Sequence, residues 1–286
     1  MNLNTGRPMD QKIAFEKKEK LIQHLRTYDS LLVAFSGGVD STFLLATAHD
    51  IFGDYVLAVT AASVIHPQFE TEWAQNFTRE RGIRHWVLAS REMNLPEFRA
   101  NPPERCYFCK KSLLSQMLAT SAAQGLQVVA HGANSDDALD FRPGAKAARE
   151  LGAIAPLADA GLTKAEIRFL SQEMGLPNWD RPSGACLASR IPYHEPITSE
   201  KLLMIEQAEK FLSELGLAQY RVRHHGPMAR IEVLETDFLK IMSADFRNRI
   251  VEKFRQIGYQ YVTLDLGGYV SGSLNRVLEK QDLPPA

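Results

Sequence analysis

The apolar run Leu31-Leu32-Val33-Ala34-Phe35 passes directly into Ser36-Gly37-Gly38-Val39-Asp40-Ser41. The run reads as a buried strand, and the small residues after it open a helix predicted from Thr42 to about Ile51. Two glycines let the backbone take up positive φ and approach a bound anion closely. Backbone N–H groups, the hydroxyls of Ser36 and Ser41 and a helix N-terminus then converge on one spot, which suits a phosphate. The turn is not a Walker A loop, because no Gly-Lys-Ser/Thr follows.

Strand-like and helical segments alternate around this turn. An amphipathic helix is predicted over 10–26, strands over 55–61, 84–88, 126–131 and 153–155, and helices over 69–81, 110–123, 146–151 and 163–174. That order predicts the α/β class, a parallel sheet covered on both faces, with ligands beyond the carboxyl ends of its strands. The stretch 175–196, rich in Pro, Gly and Ser, reads as a long loop of the kind that carries function. Beyond it the pattern becomes a small α+β unit. A helix over 199–215 is capped by Thr198 or Ser199 and stopped by Gly216. Strands over 220–225 and 229–234 follow, then a helical stretch to Ile257 and a strand over 261–266. The expected organisation is a nucleotide-binding domain over 1–180, a cysteine-bearing linker over 181–197, a small α+β domain over 198–277 for substrate or oligomerisation, and a disordered tail over 278–286.

The bulk numbers agree with two globular domains: 286 residues, 45% hydrophobic and 23% charged. A net charge of −1 gives no overall field to draw in nucleic acid or an anionic membrane. The polar start of the chain carries no apolar core of a signal peptide, and no apolar run is long enough to span a bilayer, so the cytoplasm is expected.

Four constellations carry chemistry. In the phosphate turn, Ser36, Gly37, Gly38, Asp40 and Ser41 would hold the pyrophosphate end of ATP. A carboxylate beside a triphosphate is tolerable where it helps hold Mg²⁺, so Asp40 is a candidate for a metal or water-mediated role, or else a cap for the helix. A second cluster runs from His131 through Gly132, Asn134, Asp136 and Asp137 to Asp140 and Arg142. Gly132 and Asn134 follow a strand, where a nucleotide edge could sit, although an Asx-rich turn leading into a helix has the same composition. The crowded carboxylates call for a cation or an arginine such as Arg142 nearby.

The three cysteines form the third group. Cys106 and Cys109 are spaced C-x-x-C between Arg105 and Lys110, and Cys186 lies far along the chain. Three cysteines make no disulfide framework. Redox pairs, zinc sites completed by a histidine, and an iron–sulfur cluster with one open iron are all compatible with the spacing, as are unrelated thiols. Cys186 itself sits among small residues, flanked by Arg181 and Arg190, a setting that suits a nucleophilic thiolate. Fourth, Arg221 and Arg223 fall on one face of a strand, where an anion such as phosphate would relieve their repulsion if they are not merely solvated.

Ser36–Ser41 resembles the SGGxDS signature of PP-loop enzymes, which adenylate a substrate with ATP and release pyrophosphate. Taken with Arg-Cys-Tyr-x-Cys-Lys, Gly-Ala-Asn-x-Asp-Asp, Cys-Leu-Ala-Ser-Arg and the closing Leu-Asp-Leu-Gly-Gly-Tyr-x-Ser-Gly-Ser-Leu-Asn, the chain from about Lys17 to Asn275 is similar to the LarE family of ATP-dependent sulfur transferases. The resemblance implies that a pyridinium dicarboxylic acid mononucleotide is adenylated and converted to a thiocarboxylate for a nickel-pincer cofactor, by a homo-oligomeric enzyme. It implies ATP and Mg²⁺, substrate-phosphate contacts from Arg221 and Arg223, and sulfur from Cys186. In members with all three cysteines it implies a 4Fe–4S cluster on Cys106, Cys109 and Cys186 that passes on a sulfide, the route expected here. One departure stands out: the family pattern expects arginine where this chain has Val270, so a phosphate contact would come from elsewhere, for instance Arg276.

Other enzymes and binders share parts of this pattern. A tRNA thiolase of the same superfamily would use the same chemistry but needs a basic RNA-binding surface, against a net charge of −1. Amide-forming PP-loop enzymes have no use for three cysteines in this pattern. A non-catalytic nucleotide or cluster sensor would bind ATP without releasing pyrophosphate.

Overall fold

A computed structural model describes residues 10–139, 143–182, 184–270 and 272–278. The expected tail beyond Leu278 and the Asp140 and Arg142 part of the acidic cluster lie outside the described residues. The chain divides into two compact units, one made of residues 1–63, 68–92 and 106–184, the other of 64–67, 93–105 and 185–286.

The first unit runs α1 (Gln11–Leu25), β1 (Leu31–Ala34), α2 (Val39–Phe52), β2 (Val56–Ala62), α3 (Gln68–Glu80), β3 (Arg84–Ala89), α4 (Arg105–Ala123), β4 (Val128–His131), α5 (Pro143–Glu150) and α6 (Lys164–Glu173). The first residue of α4 is grouped with the second unit. The four strands form one parallel sheet in the order β3-β2-β1-β4. Central β1 is buried on both faces, as an apolar run without alternation requires. Leu31 and Val33 pack with α1 and α2 in one core, while Leu32 faces Leu57, Val59, Leu114, Met117 and Val129 in the other. Helix α2 lies deep: Val39 and every residue from Ser41 to Ala48 are buried. Covering a helix on all sides fixes its N-terminus, and that terminus carries the phosphate turn.

Three expectations change here. Helix α2 starts at Val39 rather than Thr42, so Asp40 and Ser41 belong to its first turn. Helix α4 starts at Arg105 rather than Lys110, so Cys106 and Cys109 are both helical. The strand expected over 153–155 is a single bridge between Ala130 and Ile154. Pro156 follows at once; it has no N–H for a ladder and instead opens the short helix Pro156–Asp159.

In the second unit α7 (Ser199–Glu214) precedes β5 (Tyr220–His225) and β6 (Met228–Val233); α8 (Ala244–Ile257) and β7 (Tyr261–Leu264) follow. Thr198 caps α7 by accepting from the Lys201 N–H. β5 and β6 pair antiparallel, β6 and β7 parallel, in the order β5-β6-β7. Leu212, Val222, Ile231, Val233, Ile250, Phe254 and Tyr259 form its core. The helical stretch expected up to Ile257 breaks at Ser243 into Phe238–Met242 and α8. Asn101, fully buried and with φ 57°, donates from its amide to Pro192 O at 2.7 Å and Glu195 O at 3.0 Å. No helix among the described residues is long and apolar enough to cross a membrane.

Candidate functional site

The strand exit of β1 is fixed first. Phe35 N–H donates to Val59 O, and Thr60 Oγ1 donates to Phe35 O at 2.7 Å. His85 Nε2 lies 2.8 Å from the same hydroxyl; since the Thr60 proton is already committed, Nε2 is the protonated ring nitrogen and donates. Gly37 then turns with φ 74°, and a β-carbon there would stand 3.0 Å from Trp73 Cε3. Both backbone conformation and space demand glycine.

The serines tie the turn to itself. Ser41 Oγ donates to Gly38 O at 3.1 Å and lies 3.1 Å from Ser36 Oγ, and Thr42 Oγ1 donates to Gly38 O at 2.9 Å. Asn178 donates from its amide to Gly37 O at 3.0 Å and to Thr42 Oγ1 at 2.9 Å. Arg181 donates to Gly37 O at 3.4 Å while its guanidinium lies over Phe69 and Trp73. The first N–H groups of α2 have no carbonyl one turn earlier, so they remain available to an anion.

Gly132 leaves β4 directly against this helix start: a β-carbon on it would stand 2.9 Å from Ser41 N and 3.0 Å from Ser41 Cα. Asn134 is buried and holds the next turn, accepting from Asp136 N–H at 2.9 Å and donating its own N–H to Asp137 Oδ2 at 3.1 Å. Asp136 in turn accepts the Lys164 N–H at 2.8 Å. Backbone N–H groups thus meet two of the carboxylates for which a cation was expected.

Sequence reasoning missed the cation of the phosphate turn. Lys164 Nζ lies 2.6 Å from Asp40 Oδ2. The other carboxylate oxygen, Asp40 Oδ1, is buried and has no hydrogen-bond partner among the described residues. Lys164 is set at the first position of α6 by a capping box between Thr163 and Glu166, which Lys17 anchors at 2.7 Å. The Thr-x-x-Glu signature was legible; its lysine's long-range partner was not. His131 at the end of β4 is buried, and burial first, then the charge of Lys110, pushes its pKa down to about 3.

The cysteine loop belongs to the second unit. Cys186, half-buried, caps the short turn Leu187–Arg190, in which Leu187 and Ala188 are fully buried. Leu187 N–H donates to Ile65 O at 2.8 Å, and Ser189 N–H to Cys186 O at 3.0 Å. Arg190, one of the two arginines flanking Cys186 in the sequence, forms a bidentate pair with Glu209 at 2.9 and 2.8 Å. Cys106 is exposed and Cys109 half-buried on α4 of the first unit. Among the described residues no three His, Cys, Asp or Glu side chains are grouped as metal ligands.

Arg221 and Arg223 differ from each other. Arg223 is 6% exposed and grips Glu232 through Nε and Nη2 at 2.9 and 2.8 Å, Ser189 O at 2.8 Å and Ser273 Oγ at 2.8 Å. Arg221 lies over the Tyr269 ring and donates to Tyr220 O at 2.7 Å. Burial first, then the charge of Arg190, holds its pKa below the ordinary guanidinium value. The carboxylate of Glu209 acts the other way.

No family model matches the chain. It is 43% identical over 264 residues, covering 92% of this chain and 98% of the relative, to an uncharacterised protein of Synechocystis. It is 36% identical over 271 residues, 93% of this chain and 96% of the relative, to the pyridinium-3,5-bisthiocarboxylic acid mononucleotide synthase of Lactiplantibacillus plantarum. A more distant likeness, 25% over 222 residues, covering 70% of this chain and 67% of the relative, is to a glutamine-hydrolysing GMP synthase component of Methanococcus maripaludis.

Proposed function

The chain belongs to the LarE family of PP-loop ATP-dependent sulfur transferases, and from this we infer that it makes the thiocarboxylate groups of a pyridinium mononucleotide for nickel-pincer cofactor biosynthesis. The observation that carries the inference is the near full-length likeness to the Lactiplantibacillus plantarum synthase. The phosphate turn supports it independently, because its N–H groups and hydroxyls suit the pyrophosphate that adenylation releases.

A carboxylate of the substrate attacks the α-phosphorus of ATP, pyrophosphate departs, and an acyl-adenylate remains. AMP is a far better leaving group than hydroxide, which is why ATP is needed. Ser36, Gly37, Gly38 and Ser41 are proposed to hold the departing pyrophosphate. Asp40 suits Mg²⁺: Oδ1 is an orphaned buried acceptor, and Mg²⁺ is commonly held by one or two carboxylates together with phosphates and water. When bound, Mg²⁺ would neutralise the triphosphate. Lys164 is proposed to balance the Asp40 charge before the ion arrives. Gly132 is proposed to keep the nucleotide edge clear, and Asn134 to hold the turn beside it.

The Cys186 thiolate then attacks the acyl carbon and displaces AMP. Loss of the Cys186 Cα proton and cleavage of its Cβ–S bond would leave the thiocarboxylate and a dehydroalanine. Arg221 is proposed to hold the substrate phosphate, with Arg223 behind it. The second reading, a 4Fe–4S cluster on Cys106, Cys109 and Cys186, rests on the presence of all three cysteines. Cys106, Cys109 and Cys186 would hold three of its irons and leave the fourth open to bind a sulfide. The reading also expects a cytoplasmic homo-oligomer.

The test is incubation with ATP, Mg²⁺ and the dicarboxylate mononucleotide, following pyrophosphate and thiocarboxylate together with the intact protein mass. Substrate-dependent pyrophosphate release and a protein lighter by one H₂S support the cysteine route. Thiocarboxylate formation without mass loss, in protein that gains iron and acid-labile sulfide after anaerobic reconstitution, supports the cluster. Absence of both products overturns the function.

A further inference from the structure

The Cys186 loop is gripped by a buried charge network with no solvent-facing purpose. Arg190 has a side chain 3% exposed and Glu209 one of 9%, both far from the surface exposure usual for charges. Arg190 gives Nε and Nη2 to the two oxygens of Glu209. That leaves Nη1, which faces Ala185 O at 2.6 Å, Cys186 O at 3.0 Å and Ser189 Oγ at 2.9 Å. The two carbonyls are the one before Cys186 and its own. Arg223 closes the far end of the same segment on Ser189 O, held by its own buried carboxylate, Glu232.

Glu209 also accepts the Val222 N–H at 2.9 Å. One carboxylate therefore joins α7, β5 and the cysteine loop. A buried pair of this kind is weak evidence for stability, because desolvation offsets much of its attraction. Its geometry is aimed at the backbone on either side of one sulfur.

We propose that Arg190, locked by Glu209, is a positioning residue for sulfur transfer: by holding Ala185 O and Cys186 O it fixes the backbone at Cys186 and so the direction of the thiol. The inference rests on the reading of Cys186 as sulfur carrier. It requires no contact between Arg190 and the substrate. A nucleophile must stand within near-attack distance and angle of the acyl carbon, and a displacement near 1 Å can cost about 10²-fold in rate.

The experiment uses the full-length chain. Arg190→Gln alone would strand Glu209 and risk misfolding, so the decisive variant is Arg190→Met with Glu209→Gln. It removes both charges, keeps an acceptor for Val222 N–H and fills the space. The melting temperature checks the fold. Two readouts follow: thiocarboxylate formed per pyrophosphate released, and the rate of iodoacetamide alkylation at Cys186, read by peptide mass mapping. The expected result is a folded protein whose thiocarboxylate-to-pyrophosphate ratio falls by about 10²-fold, with Cys186 alkylated about tenfold faster as the loop loosens. Arg190→Lys should recover little, since one ammonium cannot serve the carboxylate fork and two carbonyls. A folded double variant with both ratio and alkylation rate as in the parent overturns the proposal. If the parent makes no thiocarboxylate, the functional reading has failed, and alkylation alone then decides the clamp.

Discussion

Lys164 Nζ and Asp40 Oδ2 meet at 2.6 Å although 124 residues separate them in the chain. The pair neutralises a carboxylate in the first turn of the helix that opens the phosphate turn. It is partly exposed, at 26% and 21%, so its contribution to stability is small, within about 1 kcal/mol. Asp40→Asn should therefore fold normally and lose adenylation by about 10²-fold. Pyrophosphate release measured against unfolding in urea separates the two effects, and normal release from that variant would contradict the assignment.

Gly132→Ala tests the contact between the β4 exit and α2. The added β-carbon would press on Ser41 N at 2.9 Å and Ser41 Cα at 3.0 Å, and backbone cannot swing aside as a flexible side chain can. We expect about 1–3 kcal/mol of destabilisation in denaturant unfolding, with ATP affinity lowered as the first turn of α2 shifts. A variant of parental stability and affinity would mean that the helix start is softer than its burial implies.

Arg221→Ala and Arg223→Ala should part company. Removing Arg223 leaves Glu232, which is 1% exposed, with Arg230 Nη2 at 3.2 Å as its remaining arginine partner, and should still cost about 3 kcal/mol. Arg221 holds a ring face and a backbone carbonyl. Its removal should weaken the phosphorylated substrate more than ATP. Calorimetric titration of both ligands into both variants, alongside thermal melts, reads the difference. Equal weakening of substrate and ATP by Arg221→Ala would remove the phosphate assignment.

His131 supplies a pH dependence. Its folded pKa of about 3 lies below the unfolded value of about 6.5. Between those values the unfolded chain binds the extra proton, so this contribution to stability is whole above about pH 6.5 and is lost as pH falls toward 3. The slope should approach roughly 1.4 kcal/mol per pH unit at its steepest. Urea unfolding of the parent and of His131→Gln at pH 7, 6 and 5 should show the gap between them narrowing as the parent loses stability. Parallel curves would show that the folded-state pKa of His131 is not depressed.

Much of this was readable from residues alone. The run 31–35 and the small residues after it specified a buried strand, a turn and a helix, because burial on both faces and positive φ leave few alternatives for such a string. The capping box at Thr163 was equally local. Lys164 and Asn178, and the contact of Arg181 with Gly37, escaped because they depend on partners more than a hundred residues away in sequence. The arginines near Cys186 suggest electropositive surroundings, and those on β5 an anion between them or a solvated edge. Pairing with Glu209 and Glu232 redirects Arg190 and Arg223 onto carbonyls, and nothing in the local pattern marks those two glutamates as buried.

Glu209 has one more consequence, for the outer strand of its sheet. β5 is an outer strand of its sheet, and the amide of Val222 points away from β6 to be met by that carboxylate. Truncating Glu209 would leave that buried amide without its acceptor on the side of β5 away from β6. Glu209→Ala should thus lower stability in urea by about 1–3 kcal/mol more than Glu209→Gln, which still offers an oxygen there.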